Sequence, residues 1–208
     1  MSISVTNVLI LITVIVSILA WKKNYLFDKL RFNASHIVYD KEYYRLFTYA
    51  FLHGDGAHLF INMFVLWMFG NVIEQTYAYW WGVKGIALFL FFYLTAIVIS
   101  SLSDVKKHRE NYSYNAVGAS GAVSAMVFAF ILIHPLEKLF ILFIPIGIPA
   151  FIFGILYLIY STYMSKKQRD NIGHTAHFWG GVYGFLFPIL FKQKLIVAFF
   201  VQIMGIFL

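Results

Sequence analysis

Cysteine is absent from this 208-residue chain. That removes a disulfide framework, a thiolate nucleophile and any Cys-ligated metal site. Charge is scarce as well, with Asp, Glu, Lys and Arg making up only 12% of the residues. A soluble domain of this length could not cover its apolar surface with so few charged groups. Nine acidic residues face sixteen Lys and Arg, for a formal net charge of +7. The basic residues are spread over short loops between apolar runs, which reads as attraction to anionic lipid headgroups; no nucleic acid is expected as a partner. What the chain has in abundance is apolar surface: 61% of it is hydrophobic and 20% aromatic. The expected class is an all-α polytopic membrane protein, one membrane domain over residues 1–208 with the lipid bilayer as its surroundings.

Residues 3–21 are almost uninterruptedly apolar and carry no small-x-small cleavage pattern, so a retained first span is expected there. Further spans are expected at residues 57–73, 85–101, 116–133, 149–164 and 175–191, each near the ~17–25 residues needed to cross the hydrocarbon core. Residues 22–56 mix charge with aromatics, as in Tyr43-Tyr44-Arg45, and suit an interfacial loop in the headgroup plane after the first helix. Pro145 and Pro149 break the apolar run after Lys138. Residues 139–144 are therefore expected to be an extended interfacial piece, with Pro149 opening the fifth helix. The short apolar C-terminal segment, residues 195–208, is expected to be an interfacial or tucked-in helix. This divides the chain into a six-helix core over 3–191 and an extension over 192–208.

Two polar side chains stand out against this background. Ser120 lies in Gly118-Ala119-Ser120-Gly121 at the head of the fourth run, and His177 follows Ala176 near the head of the sixth. A hydroxyl and an imidazole are the minimal parts of a nucleophile and its base, and placing them in lipid is costly unless they are used. Gly121, Ala125 and Ala129 form a small-residue stripe beside Ser120, and Ala176, Gly180 and Gly184 form another beside His177. Such stripes most often serve packing alone, but they let helix backbones approach closely and so let the two groups meet. His58 and Asn62, at i and i+4, share one helical face. Two neutral donors so placed suit an oxyanion hole, although a polar helix–helix contact would use the same pair. The Gly-Ala-Ser-Gly sequence is not the hydrolase nucleophile elbow, because residue 122 is Ala and no strand precedes it.

The ordered set of Arg45 after an aromatic, His53…His58-x3-Asn62, Gly118-x-Ser120-Gly121 and Ala176-His177-x2-Gly180 with Gly184 resembles the rhomboid family of intramembrane serine proteases. The resemblance implies a six-transmembrane-helix rhomboid-like bundle with Ser120 as nucleophile, His177 as general base and no acidic third member. It implies an oxyanion held by His58, Asn62 and the Ser120 backbone N–H. Arg45, His53, Gly118, Gly121, Gly180 and Gly184 fall to supporting structure. Tyr44 stands where the family commonly has Trp. Ser124 stands where it commonly has an aromatic against the base, which implies that a hydroxyl holds His177 by hydrogen bonding where a ring would stack.

The expected function is therefore an intramembrane serine endopeptidase acting on transmembrane protein substrates, without cofactor or metal. H-E-x-x-H is missing, and His53, His58, His174 and His177 make only a minor case for a metal cluster. The alternative is a catalytically silent relative that binds or escorts client helices; a transporter ranks third, since no charged residue lies near the middle of any span. Glu74 is expected to be an interfacial or cap-type carboxylate that ties the following loop, Asp55 to support a turn or N-cap, and residues 165–173 to form a polar lid before His177. The resemblance puts the Ser120 end on the extracytoplasmic side of a bacterial inner membrane. Twelve of the sixteen Lys and Arg fall in loops on that same side, where the positive-inside tendency alone would point the other way. Substrate identity and oligomeric state are left open by the sequence.

Overall fold

The computed structural model describes residues 4–140, 146–167 and 173–205. Helix forms in every one of the six apolar runs: α1 (Val5–Lys22), α5 and α6 (Gly56–Val65 and Asn71–Trp81), α7 (Val83–His108), α8 (Ser120–Ile133), α9 (Ala150–Lys167) and α10 (His174–Phe191). The second run is continuous through a π-helical turn at Leu66–Gly70 that joins α5 to α6. Three segments among the described residues are long and apolar enough to cross a membrane, namely α1, the α5–α6 segment and α7. A fourth arises if α10 and α11 (Lys194–Met204), bent by 115° to one another, count as one span.

The distribution of side chains is the reverse of a soluble protein's. Leu11, Ile15, Ile18, Phe60, Trp67, Ile155 and Ile159 are exposed, while Thr6, Thr13, Ser17, His53, Asn62, Glu74, Ser100, Asp104 and Ser124 are buried. With lipid outside, apolar residues need no partner there, and polar ones find theirs within the bundle. The centre is α8, on which eleven of fourteen residues are buried. A helix apolar on all sides has no solvent face to offer, so it is enclosed by its neighbours. Its most extensive pairing is with α10.

Residues 22–56 fold as short helices, α2 (Asn24–Leu30), α3 (Ala34–Val38) and α4 (Arg45–Thr48), followed by a 3-10 turn at Tyr49–Phe51. Arg45 is buried here: its Nε donates to Glu42, and its Nη1 donates to the carbonyls of Asp28 and Arg31 at 2.8 and 2.7 Å. One side chain thus closes the turns of the whole segment. The extended piece expected at 139–144 begins as a strand, β1 (Lys138–Phe140), paired antiparallel with β2 (Gly147–Pro149). Residues 141–145 lie outside the described residues, as do 168–172 of the polar segment expected to be a lid. α9 opens at Ala150, directly after Pro149.

Glu74 is a cap-type carboxylate, but of a different element from the one expected. Its carboxylate does not tie the following loop; it accepts from the backbone N–H of Val5 and Thr6 and from the hydroxyls of Ser4 and Thr6, at 2.7–2.8 Å. A negative charge at the N-terminus of α1 satisfies amides that the helix cannot and favours the helix dipole. Nothing in the local sequence around residue 74 names a partner about seventy positions away.

Candidate active site

The site is built on the contact between α8 and α10. An added Cβ at Gly180 would lie 2.1 Å from the Gly121 carbonyl oxygen, and one at Gly184 would lie 2.2 Å from that of Ala125. The two small-residue stripes read from the sequence therefore face one another, backbone against backbone. The α7 helix closes the same junction, since a Cβ at Gly121 would meet Ser100 Oγ at 2.3 Å and the Ala176 carbonyl oxygen at 3.4 Å. Ser120 and His177 are the chain neighbours of Gly121 and Ala176. The close approach brings them to the same end of the pair, both only half-buried.

The approach to Ser120 is fixed by a turn. Gly118 has φ +120°, a conformation that side chains disfavour, and its N–H donates to the Tyr49 carbonyl at 3.0 Å. The preceding Ala116 bridges to Phe32 in both directions at 3.0 and 3.2 Å. Asn33 donates to the carbonyls of Tyr112 and Tyr114 and to the Asn115 side chain. Residues 109–119 are thus pinned to the segment after α1. Ser120 then opens α8, whose N-cap, Ala119, has no side chain able to accept from the first amides. Those N–H groups, Ser120's included, form a positive helix end with donors to spare.

His58 reaches this turn from α5. A Cβ at Gly118 would lie 2.8 Å from His58 Cε1 and 2.9 Å from Nε2. The imidazole edge thus rests on the glycine two residues before Ser120. The start of α5 is capped by Asp55, whose Oδ1 accepts from the His58 N–H at 2.8 Å. Asn62 lies one turn further along the same face and donates to the His58 carbonyl at 3.0 Å. Behind His58, the His53 ring lies edge-on at 4.9 Å and is itself fully buried. Ser17 donates its one hydroxyl proton to the Phe51 carbonyl at 2.9 Å, so at the 3.1 Å contact between Ser17 Oγ and His53 Nδ1 the histidine must donate. His53 Nε2 then carries no proton and lies on the buried side of the cluster.

The aromatic against His177 is the feature missing from the sequence reading. Tyr157 on α9 stacks on the imidazole with ring centroids 6.2 Å apart and planes at 26°. Its hydroxyl meets Ser124 Oγ at 2.6 Å. Ser124, expected to hold His177 itself, instead donates to the Ser120 carbonyl at 2.8 Å. The reason is geometric: a serine hydroxyl on a helix easily reaches the carbonyl four residues back. A pointer to Tyr157 was present, since Gly154, Tyr157 and Ser161 recur at helical spacing and would share an inward face. Asp104 was passed over too. It is buried at the end of α7, close to the side chains of Tyr114 and Thr175.

These features define a multi-pass helical membrane protein with a serine, a histidine and several neutral donors gathered at one end. Residues 40–194 match the family model described as "Rhomboid domain", three quarters of the chain, and the chain belongs to the rhomboid family. Among curated proteins it is similar to "RHOMBOID-like protein 12, mitochondrial" of Arabidopsis thaliana, 29% identical over 143 residues, which are 65% of this chain. The match spans 42% of that relative's length.

Proposed function

We propose that the protein is an intramembrane serine endopeptidase that cleaves transmembrane segments of other membrane proteins. The observation that carries this reading is the placement of Ser120 and His177 beside the glycine contact between α8 and α10, with Tyr157 stacked on His177 and hydrogen-bonded to Ser124, one turn after Ser120. In the proposed reaction His177 takes the proton of Ser120 Oγ as the oxygen attacks the scissile carbonyl. The charge that develops on the substrate oxygen is met by the Ser120 N–H at the uncapped start of α8, with His58 and Asn62 as side-chain donors. His177 returns the proton to the leaving amine, and water then releases the acyl group by the same steps in reverse.

Six crossings, by α1, α5–α6, α7, α8, α9 and α10, are the arrangement we propose for the core, with α11 packed against it through Leu195 and Phe199. At 14 residues α8 rises about 21 Å, less than the ~30 Å hydrocarbon core. One of its ends then lies below the membrane surface. Irregular backbone such as residues 109–119 is tolerated at that depth where it lines a watered cavity. That is what a hydrolase in lipid requires. We place this end on the extracytoplasmic side.

The test is cleavage of a panel of transmembrane segments by the purified protein in lipid vesicles, with Ser120→Ala as control. Cleavage by wild type and none by the variant is the expected result. Cleavage by both would refute the assignment of Ser120. Binding of the segments without cleavage, and no reaction with a fluorophosphonate, would identify a silent relative that escorts its clients.

A further inference from the structure

Ser124 has a single hydroxyl proton, which it gives to the Ser120 carbonyl. At the 2.6 Å contact with Tyr157 it can therefore only accept, and the tyrosine O–H is the donor. The bonds run in one direction, from Tyr157 O–H to Ser124 Oγ and from Ser124 O–H to the carbonyl of Ser120. At the other end of the same phenol, the ring lies along the face of His177. One side chain is thus linked through Ser124 to the backbone of Ser120 and laid against the imidazole that must align with the Ser120 hydroxyl. Phe128 and Phe153 pack on the tyrosine ring at 5.7 and 5.9 Å, so its own orientation is fixed.

We propose that Tyr157 is a positioning residue for His177, held in register with Ser120 through the Ser124 hydroxyl. An imidazole can turn about its side-chain bonds unless the groups packed on it limit it, and a misplaced base loses much of its catalytic effect. The assignment rests on the serine-protease reading of the site. It has a consequence for the fold, because the positioning group is carried by α9. That helix buries Ala150, Gly154 and Ser161 and exposes Ile152, Ile155, Leu156 and Ile159. A competent base then requires α9 to be seated against α8 and α10.

The experiment uses the purified full chain in lipid vesicles and two readouts. They are the rate of fluorophosphonate labelling at Ser120 and the kinetics of transmembrane-substrate cleavage across pH. Tyr157→Leu should lower kcat and the labelling rate on the order of 100-fold, with KM changed less than about twofold. It should also move the pH midpoint of kcat/KM, which Ile159→Ala on the lipid side of the same helix should leave in place. Tyr157→Phe keeps the ring and the fold but loses the anchor. It and Ser124→Ala should each cost a few-fold in kcat, and the double variant no more than either alone. Labelling of Tyr157→Leu at the wild-type rate, or losses for Tyr157→Phe and Ser124→Ala that simply add, would overturn the proposal. A wild type that does not react at Ser120 at all would instead bring down the serine-protease reading beneath it.

Discussion

Gly121 and Gly180 meet so closely that the Cα hydrogen of one occupies the space beside the carbonyl of the other, and a Cβ at Gly180 would lie 2.1 Å from that oxygen. Together with the contact of Gly184 on Ala125, where a Cβ would lie 2.2 Å from the carbonyl oxygen, this contact holds α8 and α10 backbone to backbone beside Ser120 and His177.

Gly180→Ala is therefore expected to force α8 and α10 apart, costing about 1–3 kcal/mol or more of stability and removing nearly all cleavage. Gly54→Ala, where an added Cβ meets nothing within 4 Å, should change neither. Thermal unfolding in detergent and a cleavage assay on both variants check the contrast. Equal behaviour of the two would mean that the helices tolerate separation.

Gly118→Ala combines a strained φ of +120° with a collision against the His58 ring. The expected outcome is a loss of turnover larger than the loss of melting temperature, because the displaced imidazole is a proposed oxyanion donor. Asn62→Ala should likewise reduce kcat more than it raises KM. A raised KM with kcat intact would make Asn62 a substrate-binding residue.

Glu74→Gln retains the shape of the side chain but gives up the charge that receives four donors at the head of α1. We expect roughly 1–3 kcal/mol of destabilisation, with the proposed cleavage by the folded protein unchanged. Hydrogen exchange at the start of α1 should rise more than at α8. Uniform exchange across both helices would show that the carboxylate does not act on α1 specifically.

The Arg45–Glu42 pair gives a pH signature outside the membrane spans. Hydrogen bonding from Arg45 holds the Glu42 carboxyl below its ordinary value. A folded-state value that is depressed contributes stability above the unfolded carboxylate range, near 4.5, and loses it as pH falls through the folded value. Wild type should lose thermal stability on acidification through this window by more than Glu42→Gln does. Parallel curves for the two proteins would remove the pair from the account.

The linear sequence was enough to determine the class of this protein. Apolar runs near the length of a bilayer crossing fold as helix whatever their neighbours, because in lipid the backbone has no other way to satisfy its polar groups. The close contact of α8 and α10 beside Ser120 and His177 was legible for a related reason. Polar groups are few in such a chain, and their company of small residues at helical spacing marks a place where two backbones meet. The connection of Glu74 to the head of α1 and of Tyr157 to His177 lay beyond it. Each joins elements far apart in the chain through a side chain whose own surroundings in sequence are unremarked. Ser124 shows the limit most clearly. Its position one turn after Ser120 suggested a direct hold on the base, but a hydroxyl on a helix satisfies itself first on the carbonyl behind it. Only the packing of α9 across that turn decided that the ring on His177 would come from a third helix.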